Sequence, residues 1–326
     1  MKEKILKELY VRQGEYISGE ELSEKFQVSR TAIWKHMNKL KKEGYTIETT
    51  HKKGYRLIET SDKIIIDALK LQLRTKEIGQ EILLFDSVDS TNNYSKKIAK
   101  DAIHGTVVIG EEQTGGRGRL GRNWSSPKGE GIWMSIILKP SIPPTEGMKM
   151  TQIAAASVCK AIREAAGVEG YIKWPNDIVV GGKKVCGILT EMAGELNKID
   201  YLIVGIGINV NNQSFPEEFK DIATSLTIEK GKKIDRKTLI ACILKEFETL
   251  YQHYIDRRTL DETLEIIRLY SAVLGKTVRI IKGEQELKGR VLEINDEGLL
   301  KVQLEDGKEE LLVSGEVSIR SEKGYI

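Results

Sequence analysis

The sequence predicts an α+β chain of several domains: a winged helix-turn-helix over residues 1–62, a mixed-sheet α/β body over 63–271 and a small β-barrel over 272–326. Three observations predict it. The excess of positive charge is confined to the first 60 residues, which carry 13 lysines and arginines against 9 acids, while the remainder carries 38 against 39. From about Lys63 the hydrophobic pattern turns to strands alternating with helices. After residue 275 it turns again, to short strands divided by Gly283, Gly298 and Gly307. At 326 residues the chain also exceeds what one hydrophobic core usually supports.

With 40% hydrophobic and 30% charged residues, the composition is that of an ordinary globular protein. No apolar run approaches the roughly 18 residues that span a bilayer. The opening MKEKILKELY interleaves charge with apolar residues instead of forming a signal-peptide core. A cytoplasmic protein with no membrane partner is expected. Cys159, Cys186 and Cys242 lie far apart, with no CxxC pair and no neighbouring histidine, so neither a disulfide framework nor a zinc site is expected.

In the N-terminal part, Ser18-x-x-Glu21 is a capping box, and Leu22 and Phe26 share one helical face before Gln27-Val28-Ser29 breaks the pattern. Ser29 can cap a second helix with Ile33, Met37 and Leu40 at helical spacing, ended by Gly44. Two helices joined by so short a turn form a helix-turn-helix. Opposite its apolar stripe the second helix presents Arg30, Thr31, Trp34, Lys35 and Asn38, groups suited to phosphates and base edges in a major groove. Tyr45–Thr50 and Tyr55–Leu57 read as strands around His51-Lys52-Lys53-Gly54, a basic wing with Lys52 and Lys53 placed for phosphates. Ser29 to Arg56 holds eight basic side chains against Glu43 and Glu48 alone, which favours DNA over a protein partner. One such domain reads a half-site, so specific binding requires a dimer.

In the body, Ile82–Phe85 reads as a strand, Thr91–Asp101 as a helix capped by Ser90, and Thr106–Glu111 and Ile132–Leu138 as strands. A long amphipathic helix, 148–166, follows. Strands are expected at Tyr171–Lys173, Asp177–Val180, Val185–Glu191 and Tyr201–Ile208, with a Gly181-Gly182 hairpin turn. Hairpins mixed with helices predict a largely antiparallel or mixed sheet, not a doubly wound parallel one. The C-terminal strands are expected at Thr277–Ile281, Leu287–Ile294, Leu299–Leu304, Glu309–Val313 and Val317–Arg320.

The strongest chemical signal is the loop EQTGGRGRLGRNWSSPKGEG between two of these strands. Its glycines lower the steric cost of unusual backbone angles, and Arg117, Arg119 and Arg122 can make charge-assisted bonds to a carboxylate or phosphate. The three arginines repel one another without a counter-charge, so binding of an anionic ligand and ordering of the loop should be coupled. Gly116-x-Gly118-x-x-Gly121 matches the dinucleotide fingerprint in letters only, because Asn123-Trp124-Ser125-Ser126-Pro127 stands where the helix should start. No GxxxxGK[ST] is present, so this is not a P-loop. Its setting between two apolar strands also argues against an RNA-binding arginine-glycine segment.

Five motifs in order carry a resemblance: Ser90-Thr91-Asn92; Gln113 with Gly115-Gly116-Arg117-Gly118-Arg119-Leu120-Gly121-Arg122; Lys173-Trp174-Pro175-Asn176-Asp177; Lys184-Val185-Cys186-Gly187-Ile188; and Gly205-Ile206-Gly207-Ile208-Asn209. With the winged helix before them, they resemble the bacterial bifunctional biotin protein ligases that also repress the biotin operon. The resemblance implies a catalytic domain of the biotin/lipoate ligase type and a C-terminal domain that is SH3-like. It implies a reaction in which biotin and ATP, with Mg²⁺, form biotinyl-5′-AMP, and biotin passes to a lysine of the biotin carboxyl carrier domain of acetyl-CoA carboxylase or another carboxylase. In such a family the adenylate is also the corepressor, and the liganded homodimer binds a palindromic operator.

By the same resemblance, Ser90, Thr91, Asn92 and Gln113 should surround biotin's ureido end, with Gly187 in the strand behind. Arg117, Gly118 and Arg119 should fold over biotin and the adenylate phosphate. Lys184 should reach the carboxylate or phosphate, with Lys173 a second candidate. Asn176, Asn209 and Asp177 should complete the nucleotide and metal side, Asp177 being the metal candidate. Glu316 and Arg320 match the family's ending, and Arg320 should approach the nucleotide. The chemistry fits these residue types: a carboxylate attacking phosphorus needs no base, only alignment and neutralised repulsion. Two other readings are a small-acid sensor without catalysis and a lipoate–protein ligase. The arginine-glycine loop, the KWPND motif and the DNA-binding domain favour biotin.

Overall fold

A computed structural model of the chain describes residues 1–12, 14–58, 63–195, 197–282, 285–313, 317–320 and 325–326. The chain divides into two units, residues 1–72 and 73–326.

The first unit holds helices α1 (Lys2–Val11), α2 (Gly19–Phe26) and α3 (Arg30–Lys42), the strands β1 (Ile47–Thr50) and β2 (Gly54–Leu57), and helix α4 (Ile66–Gln72). Both predicted caps are present: the Ser18 hydroxyl accepts from the Glu21 amide at 3.0 Å and the Ser29 hydroxyl from the Ala32 amide at 3.2 Å. Gln27 ends α2 in the left-handed region, φ 52°, which turns the chain into α3. Ile5, Leu6 and Leu9 of α1 join Leu22, Ile33, Met37 and Leu40 in one core. The wing pairs antiparallel from Ile47↔Leu57 to Thr50↔Gly54. At Gly54, φ is +95° and a Cβ would fall 2.2 Å from the Ile17 carbonyl oxygen, so only glycine fits. Ala68 of α4 packs into the same core with Ile65 and Leu71 against it, so these residues belong with the winged helix. The expected boundary at 62 lies outside the described residues.

The second unit is built on a seven-stranded sheet. Its strands are β3 (Ile82–Phe85), β4 (Val107–Gly110), β5 (Gly131–Leu138), β6 (Tyr171–Lys173), β7 (Asp177–Val180), β8 (Lys183–Glu195) and β9 (Lys198–Asn209), in the order β3-β4-β5-β9-β8-β7-β6. β3 and β4 are parallel and every other pair is antiparallel, so the sheet is mixed, as the pattern predicts. Gly181 and Gly182 turn β7 into β8 with φ of 55° and 78°. The β8–β9 hairpin runs beyond the expected strands.

Helix α5 (Thr91–Ile98) sends Asn92 to Ser135 of β5, on the same row as Gly205 of β9. Helix α6 (Lys149–Ala161) bonds through Thr151 to Thr190 of β8, one residue along from Leu189, which pairs with Gly205. Alternation along a strand therefore puts α5 and α6 on opposite faces. α5 stops three residues short of Asp101, and α6 continues as a π-helical turn through Ala166. Helices α7 (Leu226–Lys230), α8 (Arg236–Arg257) and α9 (Asp261–Leu269) follow, none of them anticipated from the sequence.

The last strands, β10 (Thr277–Lys282), β11 (Gln285–Ile294), β12 (Leu300–Leu304), β13 (Glu309–Leu312) and β14 (Val317–Arg320), form an antiparallel sheet in the order β13-β12-β11-β10-β14. Among the described residues the outer strands β13 and β14 do not pair with each other. The expected barrel is therefore an open sheet. The expected divider Gly283 and the motif residue Glu316 lie outside the described residues. Among the described residues no helix is long and apolar enough to cross a membrane.

Candidate active site

The second unit holds a cleft of about 460 Å³. Every ligand-side residue expected from the sequence lines it. Ser90, Thr91 and Asn92 come from the start of α5, and Gln113, Arg117, Gly118 and Arg119 from the loop after β4. Lys173, Asn176 and Asp177 come from the β6–β7 turn and its edges, Lys184 and Gly187 from β8, Asn209 from the end of β9 and Arg320 from the end of β14. Lys183 does not line it; its ammonium group donates to the Lys220 carbonyl at 2.8 Å. Strand alternation sends the two adjacent lysines to opposite faces.

One part of the cleft is uncharged and already hydrogen-bonded. Gln113 Oε1 accepts from the Thr91 amide at 2.9 Å, and its Nε2 donates to Ser126 Oγ at 2.8 Å. Ser135 Oγ lies 2.7 Å from Thr91 Oγ1 and donates to Asn92 Oδ1 at 2.6 Å, while Asn92 Nδ2 donates to Glu191 at 2.8 Å. Ser90 caps α5 through the Asn93 amide at 3.4 Å. Each side chain is fixed by another, which is what a pre-organised polar wall requires. Ser126, Ser135 and Glu191 escaped the sequence reading; a lone serine inside the apolar run of β5 was the available signal.

The other part gathers charge. Lys184 Nζ lies 2.7 Å from Asp177 Oδ1, and the Tyr325 hydroxyl donates to Asp177 Oδ2. Burial alone would raise the Asp177 carboxyl, but Lys184, Lys173 and the Tyr325 hydrogen bond outweigh it and hold it below the usual range. Lys173 is 2% exposed, and its ammonium nitrogen has no hydrogen-bond partner among the described residues. Burial first, then Arg320, lowers its pKa to about 6. Arg119 donates to Asn176 Oδ1 at 2.7 Å, and burial lowers its guanidinium from the ordinary value. Asn176 in turn donates to the Ile188 carbonyl at 3.0 Å, and Asn209 to the Thr224 carbonyl at 3.2 Å.

The floor explains two of the motifs. Gly205, Gly207 and Asn209 alternate onto the cleft side of β9, and Gly187 of β8 pairs directly with Gly207. A Cβ on Gly205 would fall 2.2 Å from Asn92 Oδ1, and one on Gly207 2.6 Å from Trp124 Nε1. A Cβ on Gly187 would meet Lys184 Nζ at 3.1 Å and the Trp124 ring at 3.3 Å. The cross-strand glycines thus make a bed for the Trp124 indole, which also lies 5.2 Å from Lys184 Nζ. Trp133 and Trp174, by contrast, are buried and bond to the Pro127 and Gly298 carbonyls.

The arginine-glycine loop folds back on itself: Arg117 bridges Asn123, the Gly118 amide donates to the Arg122 carbonyl at 2.7 Å, and the Trp124 amide to the Gly116 carbonyl at 2.9 Å. Only a three-residue helical turn, Arg119–Gly121, occurs in it, with Leu120 at φ 56°. No dinucleotide-type helix follows.

In the first unit, Arg30, Thr31, Trp34 and Lys35 are exposed on α3, with Asn38 half-buried, and Lys52 and Lys53 are exposed at the wing tip. Arg30 pairs with Glu20 at 2.5 Å. The helix face and wing thus present the residue types expected of a DNA surface.

Among the described residues no group of three or more histidines, cysteines or acids could hold a metal ion. Asp177, the residue expected at a metal, has its carboxylate engaged by Lys184 and Tyr325. These residues do not form a protein cage for Mg²⁺.

Family models match a helix-turn-helix domain over residues 2–56, the biotin/lipoate A/B protein ligase family over 84–209 and the biotin protein ligase C-terminal domain over 273–320. The bifunctional ligase/repressor BirA of Bacillus subtilis (strain 168) is 42% identical over 308 residues, which cover 93% of this chain and 94% of that protein. The protein of the same name from Escherichia coli (strain K12) is 28% identical over 308 residues, 94% of each. Among solved structures, the biotin protein ligase of Aquifex aeolicus in complex with biotin and ATP matches with a TM-score of 0.65 at 32% identity, covering 74% of this chain and 99% of that one. With likeness of this degree along nearly its whole length, the chain belongs to the bifunctional biotin protein ligase/repressor family.

Proposed function

We propose that the cleft joins biotin to ATP as biotinyl-5′-AMP and passes biotin to a lysine of the biotin carboxyl carrier domain of acetyl-CoA carboxylase or a similar carboxylase. The observation that carries this is the convergence of all the expected ligand-side residues on one cleft with a pre-organised uncharged wall and a separate cluster of cations. The residues divide the work accordingly. Thr91, Asn92 and Gln113 hold biotin's neutral bicycle, with Ser90 at the helix start and Gly187 beneath. Arg117, Gly118 and Arg119 close over the carboxylate and the phosphate. Lys173, Lys184 and Arg320 offset the repulsion between two anions, which is the main barrier when the nucleophile is already ionised. Asn176 and Asn209 fix the nucleotide side. Mg²⁺ would arrive on the phosphates of ATP, since among the described residues no group of acids, histidines or cysteines could hold it.

The same adenylate acts as corepressor in this reading. Its phosphate supplies the counter-charge for Arg117, Arg119 and Arg122, and a loop ordered in this way removes an entropic cost from homodimer formation. The dimer then places two winged helices on a palindromic operator of biotin synthesis genes, with Arg30, Thr31, Trp34, Lys35 and Asn38 in the groove and Lys52 and Lys53 on phosphates. The C-terminal sheet, read as an open form of the SH3-like module, delivers Arg320. The cytoplasm, where carboxylases and operator meet, is the expected compartment.

Biotin-dependent exchange of labelled pyrophosphate into ATP tests the enzymatic reading. Exchange that requires biotin supports it; exchange with lipoate, or none, overturns it in favour of a lipoate ligase or a non-catalytic sensor.

A further inference from the structure

The C-terminal tail places an aromatic ring among the cleft's cations. Tyr325 is 7% exposed, and its packing partners Val179, Ala272 and Ile326 are apolar. Its ring centroid lies 3.3 Å from Lys173 Nζ, 4.8 Å from the Arg320 guanidinium and 6.0 Å from Lys184 Nζ. Its hydroxyl donates to Asp177, the carboxylate that also pairs with Lys184. The neighbouring Ile326 is seated as well: a Cβ on Gly182 would meet its carbonyl oxygen at 3.1 Å.

We propose that Tyr325 is a positioning residue for adenylation, its ring covering Lys173 and its hydroxyl fixing Asp177 so that the cations stand in a dry, fixed arrangement toward the phosphate. The proposal rests on the ligase reading above. Once a bound phosphate restores the Lys173 proton, the buried ammonium, with no hydrogen-bond partner among the described residues, needs either water or a π face, and the Tyr325 ring provides the face while excluding the water. Burial, then Asp177, raises the phenol's pKa, so it remains a donor. That donation occupies the second oxygen of Asp177, the first being paired with Lys184. Without the ring, Lys173 gains water and alternative rotamers; without the hydroxyl, Asp177 holds Lys184 more tightly, away from the ATP phosphate.

The test uses the full chain with Tyr325→Phe, which keeps the ring, and Tyr325→Leu, which fills space without a π face or a donor. Steady-state pyrophosphate exchange gives kcat and the KM for ATP; calorimetry gives the Kd for biotin. The expected result is a graded loss in kcat/KM for ATP: a few-fold for Tyr325→Phe and on the order of 30-fold for Tyr325→Leu. Biotin affinity should stay within about twofold of the unmodified protein in both variants, since the uncharged wall does not involve the tail. A purely structural role would weaken biotin binding and ATP use together, and that outcome overturns the proposal. So does exchange in Tyr325→Leu equal to or faster than in the unmodified chain, which would make the tail a bystander or a plug. If the unmodified chain shows no exchange with biotin, the ligase reading itself fails; if it exchanges and Tyr325→Leu matches it, only the role of Tyr325 fails.

Discussion

Lys173 is held where its charged form is disfavoured, and the proposed adenylation gives that cost a use. In the unfolded chain it would keep a proton up to its ordinary pKa of 10.5, whereas the folded protein releases the proton above about 6. Between those values the unfolded chain binds more protons, so this group's contribution to stability rises with pH through that window. Replacing a buried amine that has no hydrogen bond among the described residues with an apolar side chain of similar length should remove a cost of about 1–3 kcal/mol. We therefore expect Lys173→Met to raise the Tm of the free protein by a few degrees while abolishing exchange; a lowered Tm would contradict this account of the site. Adenylate phosphate should restore the proton. At pH 7.5, calorimetric enthalpies of ligand binding should depend on the ionisation enthalpy of the buffer, and Lys173→Met should remove that dependence. At this scale the sequence was informative where a motif stood around a residue. Lys173 and Lys184 were legible because KWPND and KVCGI framed them, while Tyr325, in a polar tail without periodicity, gave no signal at all.

Among the elements, β9 shows how a strand can be written for a ligand. Its alternation puts Gly205, Gly207 and Asn209 on the cleft side, and the missing side chains leave room for Asn92 and Trp124. Gly207→Ala should push the indole out of its bed at a cost of roughly 1–3 kcal/mol. The expected readout is a shift in tryptophan emission and biotin binding weaker by a factor of ten or more; unaltered binding would mean that Trp124 is not a wall of the site. Helix α8 is tied to the sheet differently. Arg236, its first residue, donates to Glu111 and to the Gly131 carbonyl, both at 2.9 Å, with both side chains buried. Arg236→Met breaks this pair and should cost about 3–5 kcal/mol in denaturant unfolding; a loss under 1 kcal/mol would show that the pair is dispensable. Strands and caps near the motifs were legible because turn residues and period-two alternation bound them. α8 has apolar residues at helical spacing, from Leu239 through Ile243 and Phe247 to Tyr254, so its periodicity alone marks it as a helix. Barrel closure was not legible, because five short strands specify pairing with neighbours but not the meeting of the two ends.

For the molecule as a whole, the division of charge along the chain matches the division of tasks. The basic excess lies in the winged helix, and the nearly balanced remainder carries the cleft. Arg30→Ala combined with Lys35→Ala should abolish operator binding in a mobility-shift assay while leaving pyrophosphate exchange intact; operator binding that survives would move the DNA surface elsewhere. On the proposed function, one cleft both makes and retains biotinyl-5′-AMP. The most direct test is to incubate the protein with biotin, ATP and Mg²⁺, remove free ligand, and identify by mass spectrometry what the denatured protein releases. The expected result is close to one equivalent of biotinyl-5′-AMP per chain, dependent on both substrates and absent when lipoate replaces biotin. Release of unmodified biotin alone, or of a lipoyl adenylate, would contradict it.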